Sequence, residues 1–138
     1  MIRATRRYHF PAAHVLAHPA LSDAENQRIY GKCANPNGHG HDYGVEVTLG
    51  GAVDPVTGSL LAPELLDALV KARILDRFGH RLLNEDPLFA ERVPTAENIA
   101  IVVHEELAAP IAAAGAARLV HVRIVETPRN SFDYGEPE

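Results

Sequence analysis

Between Tyr43 and Leu49 every second residue is apolar: Tyr43, Val45, Val47 and Leu49 fall on one side, and Gly44, Glu46 and Thr48 on the other. A period of two predicts a strand beginning near His41. Residues 2–11 predict an opening strand closed by Pro11, with His14 shortly after. Residues 17–30 are polar and predict a loop with a helical turn around Ser22 to Asn26. Asn35 to Gly40 and Asp54 to Gly58 are rich in turn residues. From Pro63 the period lengthens. Leu65, Leu66, Leu69, Val70 and Ile74 lie at helical spacing, and Pro63 suits a first helical position, so residues 63–78 predict a helix. A loop with two prolines spans 79–94. Thr95 is placed to cap a second helix with Ile99, Val102, Val103, Leu107 and Ile111 on its apolar face, ending at Gly115. Residues 117–127 predict a strong strand and 131–134 a short last one.

The order strand, strand, helix, helix, strand, strand predicts an α+β fold: a four-stranded antiparallel sheet with two helices on one face. No repeat or composition break divides residues 1–138, so one domain is expected. Such a sheet leaves edges to cover, and association of chains is one way to cover them.

Composition narrows the partners. A net charge of −5 with no Lys or Arg stripe argues against nucleic acid and acidic membranes. The N-terminal residues lack the apolar run of a signal peptide, and no stretch approaches the ~20 apolar residues of a membrane span. The single cysteine, Cys33, forms no disulfide within the chain. A cytoplasmic protein is expected.

The chemistry concentrates in residues 31–43, Gly-Lys-Cys-Ala-Asn-Pro-Asn-Gly-His-Gly-His-Asp-Tyr. His39 and His41 are two apart, so in a strand both imidazoles share a face. The preceding strand ends near His14. If the two strands pair antiparallel, the three rings converge, which is the pattern of a catalytic metal site with an open position. Imidazole favours zinc, while ligand type alone leaves iron, nickel and copper open. The alternative is three histidines serving turns or the core. A thiol beside such a site suggests a base or nucleophile.

Phe10-Pro-Ala-Ala-His14, Leu21-Ser-Asp-Ala-Glu-Asn26 and Gly31 to Tyr43 together resemble the motifs of 6-pyruvoyltetrahydropterin synthases and their relatives, the 6-carboxytetrahydropterin synthases. The likeness runs from about residue 3 to residue 134. It implies a tunnelling fold and a homohexamer of two stacked trimers with active sites between subunits. It implies Zn2+ on His14, His39 and His41, a pterin triphosphate as substrate (7,8-dihydroneopterin triphosphate), and Cys33 as the proton-abstracting base. Glu126 resembles the carboxylate that anchors the pterin, and Thr95 and Glu97 match a second pterin-contacting stretch. Both also explain themselves as a helix start. Arg28 and Lys32 are candidate triphosphate cations.

His80, in Phe78-Gly-His-Arg-Leu-Leu-Asn84, resembles the proton-relay histidine. The family usually has Asp before that histidine, and this chain has Gly79. Asp76, four residues earlier, is the carboxylate that would substitute if the loop folds back. Restoring Asp at position 79 should raise activity if the missing carboxylate limits catalysis. Five residues separate Cys33 from His39, as in the pyruvoyl-type enzymes, whereas carboxy-type relatives usually show a shorter gap. The pyruvoyl product is therefore expected. The carboxy product, and a weakly active pterin- or metal-binding protein, are the alternatives.

Overall fold

A computed structural model describes residues 1–137. Five strands form one sheet: β1 (Ile2–His14), β2 (His39–Gly51), β3 (Arg81–Leu82), β4 (Arg118–Thr127) and β5 (Asn130–Gly135). Their order is β3-β1-β2-β4-β5. The helices are α1 (Asp23–Tyr30), α2 (Pro63–Val70) and α3 (Ala96–Ala114). A π-helical turn, Lys71–Leu75, carries α2 on to a last turn, Asp76–Phe78. No described helix is long and apolar enough to cross a membrane.

The expected α+β fold with an antiparallel sheet is present. The fifth strand is the addition. Two-residue β3 pairs parallel with β1, Ala12 opposite Arg81 and Ala13 opposite Leu82, inside what the sequence marks as a loop. Its shortness gives no alternation to read.

β1 does not stop at Pro11. It pairs with β2 without interruption from Ile2 opposite Gly51 to His14 opposite His39. The Pro11 carbonyl accepts the His80 N–H at 2.6 Å, so the backbone of Pro11 faces β3 and away from β2. Within a strand, N and C=O of one residue share a side, so the missing N–H of Pro11 costs the β1–β2 ladder nothing.

α1 is also longer than the single turn expected. Ser22 caps it through a reciprocal box: Ser22 Oγ accepts the Glu25 N–H, and a Glu25 carboxylate oxygen accepts the Ser22 N–H. Only Asn26 of this helix is buried, so it has no apolar stripe for periodicity to detect.

The core lies between one face of the sheet and α2 with α3. Phe10, Tyr43, Val45, Val47, Val122 and Ile124 meet Leu66, Val70, Ile74, Ile99, Val103 and Leu107 there. The same face carries Ala12 and His14 on β1. The metal-ligand candidates therefore stand at the end of the core-facing stripe. Burial of a full aliphatic or aromatic side chain there contributes ~1.5–3 kcal/mol.

A candidate metal centre at the end of the sheet

Alternation in the two paired strands sets the site. Phe10, Ala12 and His14 on β1 share a face with His39, His41 and Tyr43 on β2 because Ala12 opposes His41 and His14 opposes His39. The His39 and His41 ring centres are 4.5 Å apart, His14 and His41 5.1 Å, and His14 and His39 6.2 Å. The three rings named from the sequence are gathered in one place.

Nitrogens of His14 and His41 are placed for an ion, whereas no His39 nitrogen belongs to the group of ligand atoms that lie within 4.8 Å of one another. Nδ1 of the fully buried His14 donates to the Pro94 carbonyl at 2.9 Å. A carbonyl only accepts, so Nδ1 holds the proton and Nε2 presents its lone pair. That Nε2 and Nε2 of His41 are buried and have no hydrogen-bond partner. Buried nitrogens left without a partner are costly, and two of them turned toward one spot fit a divalent cation. Burial holds both imidazoles below the usual histidine range, with Glu126 partly countering this at His41. The neutral ring is the ligand form.

Glu126 enters from β4. Its Oε2 lies 4.0 Å from His41 Nε2. His14, His41 and Glu126 offer ligand atoms all within 4.8 Å of one another. The carboxylate read from the sequence as a pterin anchor therefore borders the ligand cluster.

Cys33 is half-buried on the 3-10 turn Gly31–Ala34 that follows α1. Its carbonyl accepts the Leu16 N–H at 2.7 Å, tying the cysteine turn to the chain two residues past His14. Tyr43 feels the Cys33 sulfur electrostatically, and its hydroxyl oxygen lies 3.0 Å from His14 Nδ1. Burial, with Glu126 and Cys33 adding to it, pushes the Tyr43 phenol well above its ordinary range, so it stays protonated. The thiol, the ligand cluster and a neutral phenol thus occupy one end of the sheet.

The other expected residues divide. Thr95 caps α3 by accepting the Asn98 N–H at 3.2 Å, and exposed Glu97 lies in the first turn, where the helix dipole favours an acid. Arg28 and Lys32 are exposed beside the cysteine turn, and among the described residues neither forms an ion pair.

His80 sits on the edge beside β3, exposed, with φ of +61°. Its N–H on Pro11 holds that left-handed conformation, which a non-glycine residue adopts at a cost of ~1–2 kcal/mol. Its imidazole has no hydrogen bond, ion pair or ring contact among the described residues. Asp76 does not back it. Both Asp76 carboxylate oxygens accept from Lys71 Nζ, at 2.7 and 2.9 Å, because the π-helical turn brings that lysine alongside.

Two groups here carry no strong sequence signal: Pro94, and Asn84, whose side-chain amide pairs with the backbone of Val15. Pro94 acts through its carbonyl, which no side-chain pattern reveals. Asn84 lies in a segment read for His80. Tyr43 was readable, since two residues after His41 in a strand is the same face.

The chain is similar to known proteins over nearly its whole length. A sequence profile described as 6-pyruvoyl tetrahydropterin synthase matches residues 3–137. The 6-pyruvoyl tetrahydrobiopterin synthase of Poecilia reticulata is 41% identical over 131 residues, covering 94% of this chain and 87% of that protein. The protein of that name from Homo sapiens is 38% identical over 133 residues, covering 94% and 88%. The solved structure of Caenorhabditis elegans 6-pyruvoyl tetrahydropterin synthase superposes with a TM-score of 0.88 at 38% identity, covering 99% of this chain and 96% of that one.

Proposed function

The chain belongs to the 6-pyruvoyl tetrahydropterin synthase family, and on that premise we propose that it is a cytoplasmic, zinc-dependent carbon–oxygen lyase. It takes 7,8-dihydroneopterin triphosphate, releases triphosphate and yields 6-pyruvoyltetrahydropterin. The observation that carries this reading is the pair of buried, unbonded ring nitrogens, His14 Nε2 and His41 Nε2, beside the turn that bears Cys33.

His14, His39 and His41 would hold the zinc. Bound there, the ion supplies a Lewis acid for the side-chain oxygens of the substrate. Cys33 takes a proton from that side chain, and the ring double bond shifts as the pterin becomes tetrahydro. Tyr43 stays protonated and supports His14. Glu126 accepts two parallel N–H bonds from the guanidine-like edge of the pterin. Thr95 and Glu97 stand at the α3 start to contact the same ring. His80 relays the proton. Its imidazole is exposed and unpartnered among the described residues, which leaves it available to a site formed between subunits of a homohexamer. Asp76 is not assigned a part, since its carboxylate is engaged by Lys71.

A second reading of Glu126 has its own support. Its carboxylate lies within 4.8 Å of the His14 and His41 ligand atoms, and on this reading it would complete the metal set in place of His39.

The test is one incubation. Zinc-loaded protein and 7,8-dihydroneopterin triphosphate should give 6-pyruvoyltetrahydropterin and inorganic triphosphate. Formation of 6-carboxytetrahydropterin with acetaldehyde would move the chain to the carboxy branch. Unchanged substrate would leave a binding protein.

A further inference from the structure

We propose that Asn84 is a positioning residue for the metal ligand His14, acting as a side-chain extension of β3. This rests on the metal-centre reading above.

The direction of the backbone groups alternates along β1. Odd-numbered residues of its last stretch turn their backbone groups toward β3: the Pro11 carbonyl accepts the His80 N–H, and Ala13 lies opposite Leu82. The next odd residue with groups facing that side is Val15. By then the partner chain has left the sheet, turning at Leu83–Glu85 into a 3-10 turn. The Asn84 amide fills the slot. Its Oδ1 accepts the Val15 N–H at 2.8 Å, and its Nδ2 donates to the Val15 carbonyl at 2.8 Å. One planar amide thus satisfies both backbone groups of Val15 that face this side of the sheet.

Val15 directly follows His14. The ring of His14 is fixed at Nδ1 by Pro94, and its backbone exit is fixed by Asn84. Asn84 and Pro94 also line one cavity, of about 420 Å³. Without the clamp, the backbone past His14 is tethered next at Leu16, through the Cys33 carbonyl. Freedom at Val15 therefore reaches the ligand on one side and the cysteine turn on the other. Asn84 is itself exposed, so its removal leaves no core cavity.

The experiment measures zinc affinity of the apo-protein by chelator competition, well below the unfolding temperature, beside Tm of the apo form. Asn84→Ala should bind zinc ~10-fold more weakly, the loss typical of a group supporting a ligand. Arg6→Ala, which breaks an ion pair with Asp67 on α2, is the comparison. It should lower Tm without changing zinc affinity. Asn84→Asp keeps shape and acceptor but loses the donor to the Val15 carbonyl, and should weaken zinc in the same direction even if Asn84→Ala folds poorly. Unchanged zinc affinity in both Asn84 variants would overturn the inference while leaving the metal centre intact. Wild-type protein that takes up no zinc would overturn the metal reading and this inference with it.

Discussion

A β-carbon at Gly79 would lie 2.6 Å from the Leu75 carbonyl oxygen, the same oxygen that accepts the Gly79 N–H at 2.9 Å. Real β-carbons do not approach backbone oxygen so closely. The glycine that precedes His80 is therefore fitted to the way the helical run after α2 ends.

Gly79→Asp should consequently destabilise the protein by ~1–3 kcal/mol and not raise turnover. Gly79→Ala should lose a similar amount, because the β-carbon and not the carboxylate is at fault. Denaturant unfolding of both variants checks this. An Asp variant as stable as wild type and more active would restore the view that a missing carboxylate limits His80.

The ligand set is decided by comparing two variants. His39→Ala should lose zinc, whereas Glu126→Ala should retain it and raise KM for the pterin. Metal content by mass spectrometry, with steady-state kinetics, reads both. Zinc lost from Glu126→Ala and kept by His39→Ala would exchange their roles. In either case chelator should lower the wild-type Tm, since an ion bound only by the folded chain stabilises it.

Cys33→Ala should keep its zinc and lose ~10²–10⁴-fold in kcat, the usual contribution of a positioned acid or base. Turnover within twofold of wild type would remove Cys33 from the chemistry.

The pH dependence of folding should expose the lock between β1 and α2. Asp67 accepts from Arg6 Nε at 2.6 Å and from the Tyr8 hydroxyl at 2.7 Å, and the Arg6 hydrogen bond, then that of Tyr8, holds its carboxyl below the usual range. The unfolded chain thus takes up the Asp67 proton more readily than the folded one. Stability from this group is present above the ordinary carboxylate pKa and is lost as pH falls through and below it. Wild type should exceed Asp67→Asn in unfolding free energy by a constant margin near neutrality, narrowing below about pH 4. A margin that widens with acid would contradict the assigned partners.

Much of this was legible in the chain. Period two in 43–49 and helical spacing in 63–78 gave elements in place, because each has one buried face. His14, His39 and His41 could be set together because strand pairing converts a sequence gap into a register. The fifth strand escaped notice at two residues, and α1 showed only as a turn around Ser22 to Asn26 because it is held by a capping box and buries only Asn26. Pro11 looked like a stop, since the direction of its backbone relative to two neighbours is a property of the sheet. Pro94 and Asn84 were invisible for a related reason. Each contact runs through a backbone group, the Pro94 carbonyl or the Val15 amide, and joins residues about seventy to eighty positions apart.

The pairing of His14 with His39 and of Ala12 with His41 carries one last consequence. A slip of a single position between these two strands would send His14 and His41 to opposite sides of the sheet. Metal uptake during refolding is thus a direct report on whether the first two strands have found their correct alignment, and should appear only after it.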